Sequence, residues 1–353
     1  MNQQNSSMDP RERQARRAAL RKKKAQQRRQ QQLLACAGIA LLAIVLTVIL
    51  VMCNGNHSDT PVSSTADTAN IPGESTDAFK EITWATFPED RKITAQQYFV
   101  FDCTAGMFRT ISQDPTVRIY PASITKLITA GVALQYLQSD QMVTVGEAMN
   151  MVAAGSSVAE LKKGDTVSVK ELIGGMILPS GNDAAYALAL EAGRVILQNP
   201  TASADAAVSA FVSRMNEYAG QIGMSDTHFA NPDGIHQEDH YTTYADLVTM
   251  ALHAMSAPAI MDYCATPSAT VNVGDRELQW HNTNLLVDPE SEYYCPYAIG
   301  LKTGQTPYAG SCLLSAFDVA GSKYVIGVFG CPDIESRFAD TLQLLNQSLV
   351  PAA

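Results

Sequence analysis

Hydrophobic and polar residues divide the chain into an apolar run, a polar stretch and a long patterned region. The run at 33–53, LLACAGIALLAIVLTVILVMC, contains no charge and no proline. At about 1.5 Å per residue its helix would be roughly 31 Å long, which is enough to cross the hydrocarbon core of a membrane. Residues 54–85 are rich in Ser, Thr, Asp, Asn and Gly, which predicts a flexible linker. Residues 86–353 then form one sizeable domain.

Within that domain, the periodicity of apolar positions predicts strands near both ends and helices between them. This order favours a mixed α/β (α+β) fold with an antiparallel sheet and a helical lobe. The predicted strands are 96–103, 309–316 and 323–330, and the predicted helices are 123–137, 169–178, 184–195, 206–220 and 338–349.

Charge is distributed unevenly and suggests a topology. Residues 1–30 carry ten Lys or Arg and two acids, a net of 10 − 2 = +8, while the whole chain is −10, so residues from 54 onward carry −10 − 8 = −18. Positive flanks stay in the cytoplasm, so residues 1–32 read as a basic cytoplasmic tail, 33–53 as a single-pass span in contact with membrane lipid, and the remainder as extracytoplasmic. A cleaved signal peptide is the alternative. Nucleic acid is a less fitting partner, because a basic tail beside a span usually sets topology.

Three short motifs occur in one order: S-I-T-K at 123–126, S-G-N at 180–182 and K-T-G at 302–304. Ser123 and Lys126, three residues apart on a helix, lie on one face within reach of each other. A serine hydroxyl needs such a base to become a nucleophile, and a lysine serves only if burial or a nearby cation lowers its pKa. Lys302 is the candidate second cation.

The other two motifs suggest substrate contacts. Ser180 and Asn182 flank a tight turn that Gly181 permits, where Ser180 could move a proton and Asn182 could bind an amide. The third motif is expected just before a strand. Gly304 would let a substrate backbone lie close to the sheet edge, while Lys302 and Thr303 would meet a carboxylate.

The residues around these motifs resemble the low-molecular-mass D-alanyl-D-alanine carboxypeptidases, the penicillin-binding peptidases of family S11. The resemblance covers about residues 98–345 and rests on YPASITKLITA, LPSGNDAAYALA, IGMSDTHFANPDGIHQEDHYTTYADL, HNTNLLV and GLKTGQTPYAGSCLLSA. It implies a serine β-lactamase/DD-peptidase-like fold, with a five-stranded antiparallel sheet, flanking helices and an all-helical region. It covers nearly all of the domain at 86–353, which is therefore expected to be the catalytic domain.

Carried over to this sequence, the resemblance implies that Ser123 is acylated and that Lys126 is the general base. Ser180 and Asn182 would complete the catalytic set, and the backbone N–H groups of Ser123 and Gln305 would form the oxyanion hole. Substrate would be bound by the third motif and by Arg337, which follows the last predicted strand; the implied substrate-binding residues are Lys302, Thr303, Gly304, Gln305 and Arg337.

The resemblance implies release of the terminal D-Ala from peptidoglycan stem pentapeptides, with β-lactams as inhibitors and no cofactor. The alternatives are a non-catalytic penicillin-binding sensor or scaffold and a β-lactamase-like hydrolase. The chain has no E-x-x-L-N pattern after Asn182, which argues against fast β-lactam turnover. The segment HQEDH at 236–240 does not have the spacing of a metalloprotease helix, so no metal site is expected.

Cysteines leave two possibilities open. Five of the seven follow the apolar run, an odd number, so at least one has no partner within the chain. Cys312 with Cys331, and Cys264 with Cys295, are the candidate disulfides. Buried free thiols are the alternative.

Overall fold

A five-stranded antiparallel sheet forms the centre of the described structure, a computed structural model that describes residues 92–349. The strands lie in the order β2–β1–β9–β8–β7, so β7 and β2 are the two edges. All neighbouring pairs are antiparallel. The strands of this sheet are β1 (Gln97–Asp102), β2 (Met107–Ile111), β7 (Ala298–Thr306), β8 (Gly310–Val319) and β9 (Ser322–Cys331).

Seven α-helices accompany this sheet within residues 92–349. Six of them lie in the chain between β2 and β7, and the seventh closes the described chain. They are α1 (Lys126–Tyr136), α2 (Val169–Ile177), α3 (Asn182–Ile196), α4 (Ala204–Gln221), α5 (Tyr244–Met255), α6 (Pro258–Cys264) and α7 (Ile334–Leu349). The expectation of an antiparallel five-stranded sheet with flanking helices and a helical region is confirmed.

Each face of the sheet is covered by a different hydrophobic cluster. One cluster joins Phe99 and Leu314 to the helical region, whose α1 is buried among α3, α4 and α5. The other cluster joins Val100 and Leu313 to Phe338 of α7. Side chains that follow one another along a strand point to opposite faces, so these neighbouring pairs divide between the two clusters. The central strands are therefore nearly continuous apolar runs.

Two small hairpins lie outside the main sheet. One pairs β3 (Met142–Thr144) with β4 (Thr166–Ser168), and the other pairs β5 (Ser268–Val273) with β6 (Arg276–His281). Ser168 then begins α2 through a capping box, in which its hydroxyl accepts from the Glu171 N–H and the Glu171 carboxylate accepts from the Ser168 N–H. This cap fixes the start of the helix that leads to the second motif.

The structure corrects two local predictions. The helix expected from 123 begins as a 3₁₀ turn, Ala122–Thr125, and becomes α-helical only at Lys126. The third motif does not precede a strand; it lies inside β7. Local periodicity missed this strand because its glycines interrupt the apolar pattern.

Some expectations fall on residues outside the described range. The basic tail 1–32, the apolar run 33–53 and the linker 54–85 are among them. Among residues 92–349, no helix combines the length and hydropathy that a membrane span requires. The five cysteines of this part, Cys103, Cys264, Cys295, Cys312 and Cys331, are all free thiols, and neither candidate disulfide is formed.

Candidate active site

Ser123 lies in a turn that the backbone holds in an unusual conformation. The preceding Ala122 has a φ of 49°, a left-handed value that costs a non-glycine residue about 1–3 kcal/mol. The 3₁₀ turn that follows passes directly into α1, so Ser123 and Lys126 stay three residues apart on one face. The Lys126 Nζ donates to the Ser123 Oγ at 2.8 Å.

Lys126 is buried completely and is held by a second acceptor. Its Nζ also donates to the Asp233 carbonyl oxygen at 2.7 Å. Burial lowers the pKa of Lys126 to about 8, and the nearby carboxylates of Asp233 and Asp183 oppose that shift. A lysine with this pKa is neutral in a useful fraction of molecules near neutral pH, so it can accept the serine proton.

The loop that carries the Asp233 carbonyl is fixed against the nucleophile turn. Gly234 has a φ of +87°, and a Cβ there would meet the Ala122 carbonyl oxygen at 1.9 Å, so only glycine fits. The Asn231 side chain accepts from the Gly234 N–H and donates to the Ile235 carbonyl. This bracing makes the Asp233 carbonyl a fixed acceptor for Lys126.

The second motif lies at the start of α3, close enough to the first motif for the charge of Asp183 to act on Lys126. Ser180 adopts a φ of +63°, and Asn182 is the first residue of the helix. Asp183 is fully buried and accepts from the N–H groups of Ala159 and Leu161, which ties this turn to the preceding segment. The Asn182 Oδ1 is buried and has no hydrogen-bond partner within the described chain. A buried acceptor of this kind is suited to a ligand N–H.

The third motif forms the edge of the sheet. Lys302 is buried, and its Nζ lies 3.4 Å from the Thr283 Oγ1 and 3.3 Å from the Thr303 carbonyl oxygen. The hydroxyls of Thr283 and Thr303 are 2.6 Å apart. Burial holds the pKa of Lys302 well below its usual value, and the positive charges of Lys126 and Arg337 lower it further. Within residues 92–349, no salt bridge joins Lys302 to a carboxylate.

Gly304 brings the sheet edge against the nucleophile turn. A Cβ at this position would meet the Ala122 Cβ at 2.9 Å, the Pro121 carbonyl oxygen at 3.0 Å and the Ser123 nitrogen at 3.3 Å. The glycine is thus required by a contact within the protein, and its expected role in admitting substrate stays a prediction. The next residue, Gln305, is exposed. The two backbone segments expected to form the oxyanion hole are consequently adjacent.

Arg337 is close enough to influence the site electrically. It lies in α7, which packs against β8 and β9, and only 5% of its surface is exposed. Burial lowers its pKa to about 10, and its Nε has no hydrogen-bond partner among the residues the structure describes. No hydrogen bond of the described residues joins it to the three motifs. Arg337 therefore affects Lys302 through its positive charge, which lowers the pKa of Lys302.

Comparison with known proteins decides the family. Residues 84–332 match the peptidase S11 family, described as D-alanyl-D-alanine carboxypeptidase. The chain belongs to this family of serine peptidases. This is the same family that the three motifs and their flanking residues resemble.

Relatives of this S11 peptidase include a D-alanyl-D-alanine carboxypeptidase from Streptomyces sp. strain K15. It is 36% identical over 235 residues, which are 64% of this chain and 77% of the relative. The Bacillus subtilis carboxypeptidase DacF is 29% identical, and the match covers 65% of this chain but only 56% of DacF. The matches to Haemophilus influenzae DacA and Escherichia coli DacD likewise cover 62% and 64% of those proteins. The chain thus spans less than two thirds of these three relatives.

Solved structures support the fold. The crystal structure of the Streptomyces K15 DD-transpeptidase is similar with a TM-score of 0.64 at 31% identity, covering 72% of this chain and 97% of that one. The D-alanyl-D-alanine carboxypeptidase DacD from Francisella tularensis gives a TM-score of 0.61 at 26% identity, covering 78% of this chain and 75% of that one. The fold is therefore the one shared by these DD-peptidases.

Two contributors to the site were not singled out from the sequence of this S11 peptidase. Thr283 contacts both Lys302 and Thr303, and the Asp233 carbonyl holds Lys126. Both lie within segments whose resemblance to the family was noted, HNTNLLV and ANPDGIHQ. The resemblance of these segments to the family is the sequence feature that could have pointed to both groups. The role of the Asp233 carbonyl cannot be predicted from its residue type, because every residue has a backbone carbonyl.

The histidine-rich segment has a structural role in this S11 peptidase. His240 is buried, its ring nitrogen Nε2 lies 2.8 Å from the Thr125 Oγ1, and its Nδ1 accepts from the Ala230 N–H. Burial lowers the pKa of His240 to about 3, so the ring is neutral. It braces the nucleophile turn from behind. No group of three or more potential metal ligands lies together in the range 92–349.

Proposed function

We propose that this S11 peptidase removes the terminal D-Ala from peptidoglycan stem pentapeptides through an acyl-enzyme on Ser123. The main observation that supports this proposal is the 2.8 Å hydrogen bond between the Ser123 Oγ and a buried Lys126, whose pKa is lowered to about 8. A serine beside a partly neutral lysine is an activated nucleophile.

Acylation begins when neutral Lys126 accepts the Ser123 hydroxyl proton. The Oγ forms a bond to the carbonyl carbon between the two D-Ala residues, and the carbonyl π electrons move to oxygen. The N–H groups of Ser123 and Gln305 stabilise that oxyanion. As the C–N bond breaks, Ser180 gives its hydroxyl proton to the leaving amine and receives the proton held by Lys126, so free D-Ala departs and Lys126 is neutral again. Water then adds to the ester as Lys126 takes its proton. When the ester C–O bond breaks, Lys126 returns that proton to the Ser123 Oγ, and the shortened peptide leaves.

Substrate recognition follows from the charges and acceptors of the cleft. The terminal carboxylate would supply the negative partner that buried Lys302 lacks, and Thr303 would donate its hydroxyl to the same group. Arg337 would add a second positive charge to this end of the cleft. The orphaned Asn182 Oδ1 would accept the N–H of the residue on the acyl side.

A strained β-lactam presents the same carbonyl beside a carboxylate, so it would acylate Ser123 as well. The bond that breaks in the ring leaves the amine tethered, which blocks the position that deacylating water needs. A long-lived penicillin adduct is therefore expected.

We place the enzyme outside the cytoplasm, where peptidoglycan lies, anchored by the apolar run 33–53 with residues 1–32 inside. Support comes from the charge asymmetry of the sequence, +8 before the run and −18 after it. Protease added outside intact cells should release a fragment cut between residues 54 and 80 that still binds penicillin. A mature N-terminus near residue 54 without added protease would favour a cleaved signal peptide.

The test of the activity combines two measurements on the full chain. D-Ala release from a pentapeptide analogue should be seen with the wild type and lost with Ser123→Ala. Intact mass should rise by one penicillin mass in the wild type only. A labelled wild type that releases no D-Ala would favour the sensor or scaffold alternative, and rapid loss of the adduct would favour a β-lactamase-like hydrolase.

A transpeptidase is a second candidate, because the structurally similar Streptomyces K15 protein is a DD-transpeptidase. The acyl-enzyme would then be attacked by an amine in place of water. Adding an amino acid acceptor such as glycine to the assay distinguishes the two reactions. Formation of the acceptor peptide in place of the hydrolysed one would change the assignment.

A further inference from the structure

The side chain of Asp233 is buried beside the general base, and no step of the proposed reaction uses it. Only 1% of the residue is exposed. Its carbonyl oxygen accepts from the Lys126 Nζ at 2.7 Å and from the Ser123 Oγ at 3.4 Å. Asp233 therefore contacts both members of the first motif through its backbone, which places its carboxyl group close to them.

One oxygen of the Asp233 carboxylate has no hydrogen bond. Its Oδ1 accepts from the Ile235 N–H at 3.2 Å, whereas its Oδ2 is buried and has no partner within residues 92–349. A buried carboxylate with an unpaired oxygen is costly unless a nearby cation compensates its charge. Burial raises the pKa of the Asp233 carboxyl, and the charge of Lys126 opposes that rise. Lys126 is therefore the cation that favours the charged form of Asp233.

The charge of Asp233 acts on Lys126 in return. Bond lengths keep the carboxyl carbon of an aspartate within about 5 Å of its own carbonyl oxygen, so this carboxylate lies within about 8 Å of the Lys126 Nζ. A unit charge at that distance shifts a pKa by about one to two units when the effective dielectric constant is about 20. Two carboxylates raise the pKa of Lys126 against the effect of burial, and Asp233 has a larger effect than Asp183.

The other ionisable groups around this pair differ from Asp233 in charge or in hydrogen bonding. Asp183 on α3 accepts three backbone N–H bonds, which compensate its charge. Lys302 on β7 is a lysine, and burial holds its pKa well below the usual value. His240 is neutral because burial lowers its pKa to about 3. Tyr186 on α3 is neutral because burial raises its pKa. Asp233 is therefore the carboxylate of this group that depends most on a cation.

We propose that Asp233 is a positioning residue for the general base. Its carboxylate holds the extra proton on Lys126 in the resting enzyme, and it stabilises the ammonium that forms when the Ser123 proton moves to the Lys126 Nζ. No proton moves to Asp233 itself. The carboxylate lowers the neutral fraction of Lys126 but makes the neutral lysine a stronger base, and it thereby sets the pH at which acylation begins. This inference rests on the proposed function.

The test is the rate of labelling of the full chain by a fluorescent penicillin across pH 5–10, for the wild type, Asp233→Asn and Asp233→Ala. Asp239→Asn is the matched control, because it removes the same charge from the same loop but its side chain is 67% exposed. The amplitude of labelling reports the folded fraction of each variant. The midpoint of the rate profile is read from the labelled molecules alone, so it does not depend on that fraction.

Both Asp233 variants should move the midpoint of the profile from about 8 to a pH about one to two units lower, because the carboxylate no longer favours the charged lysine. The rate on the plateau should fall about threefold to tenfold, since a lysine with a lower pKa is a weaker base. Asp239→Asn should keep the wild-type midpoint and plateau. A residue that only supports the loop would lower the plateau and leave the midpoint in place.

A wild-type midpoint in both Asp233 variants would overturn the proposed role of the carboxylate. An equal shift in Asp239→Asn would overturn it as well, since the effect would then belong to the charge of the whole loop. A wild type that releases no D-Ala from a pentapeptide analogue would instead refute the proposed function.

Discussion

The lowered pKa of Lys126 gives a quantitative prediction for the pH dependence of acylation. With a pKa of about 8, about 9% of the molecules hold a neutral Lys126 at pH 7 and about 91% do so at pH 9. The acylation rate constant should therefore rise about tenfold between pH 7 and pH 9 and level off above. A lysine with the ordinary pKa of 10.5 would be neutral in only about 0.03% of molecules at pH 7, so burial increases the reactive fraction about 300-fold.

The assay is the pseudo-first-order labelling of the full chain by a fluorescent penicillin across pH 6–10. Lys126→Arg keeps the positive charge but cannot lose it in this range, so labelling should fall by at least about a hundredfold and lose its rise with pH. Lys302→Arg is the matched control, since it changes another buried lysine of the site whose proposed role is charge alone. Its loss should be smaller and its pH profile retained. A flat wild-type profile between pH 7 and pH 9, or equal losses in the two variants, would refute the assignment of Lys126 as base.

Three further substitutions test the remaining parts of the site. Thr283→Val removes the hydroxyl shared by Lys302 and Thr303 and should lower kcat/KM for D-Ala release about tenfold, near 1.4 kcal/mol, whereas an unchanged value would leave Thr283 as packing only. Gly304→Ala should slow penicillin labelling more than tenfold while thermal unfolding shows that the fold is retained. Gly220→Ala is the control, since a Cβ there meets nothing within 4 Å, and it should leave the labelling rate unchanged. Equal slowing in both variants would contradict the close approach at Gly304 as the cause. Arg337→Ala should cost about 2–4 kcal/mol in kcat/KM on a D-Ala-D-Ala peptide and much less when the terminal carboxylate is amidated, and equal costs would make Arg337 a support of the fold.

The elements that the sequence predicted well are those with strong local patterns. The strands β8 and β9 are continuous apolar runs about a tight turn, and α2 has a capping box at Ser168. Helix α3 starts one residue after the turn glycine of the second motif, as its composition indicates. Each of these signals is contained within a few neighbouring residues, so no knowledge of the rest of the fold is needed.

The elements that escaped prediction depend on contacts between distant segments. The local sequence does not predict β7 as a strand, because Gly300 and Gly304 interrupt its apolar pattern. Both glycines are needed because other segments approach them closely: Cys264 lies against Gly300, and the nucleophile turn lies against Gly304. The left-handed Ala122 likewise follows from the surrounding structure. The hairpin of β5 and β6 had a usable signal, the Gly274–Asp275 turn between alternating residues.

The geometry of the site also explains why the motifs must occur together. Lys126 and Lys302 are both buried lysines whose pKa is lowered by burial, and the charge of Lys126 lowers the pKa of Lys302 further. Between the folded pKa of about 8 and the unfolded 10.5, the unfolded chain binds the Lys126 proton and the folded chain does not, so stability rises with pH across this window. Below pH 8 the full cost of about 3 kcal/mol opposes folding. A binding module would gain nothing from that cost. An acyl-transfer enzyme benefits from the burial of both lysines. Burial lowers the pKa of Lys126 so that it can act as a base, and it places Lys302 where a substrate carboxylate can bind it.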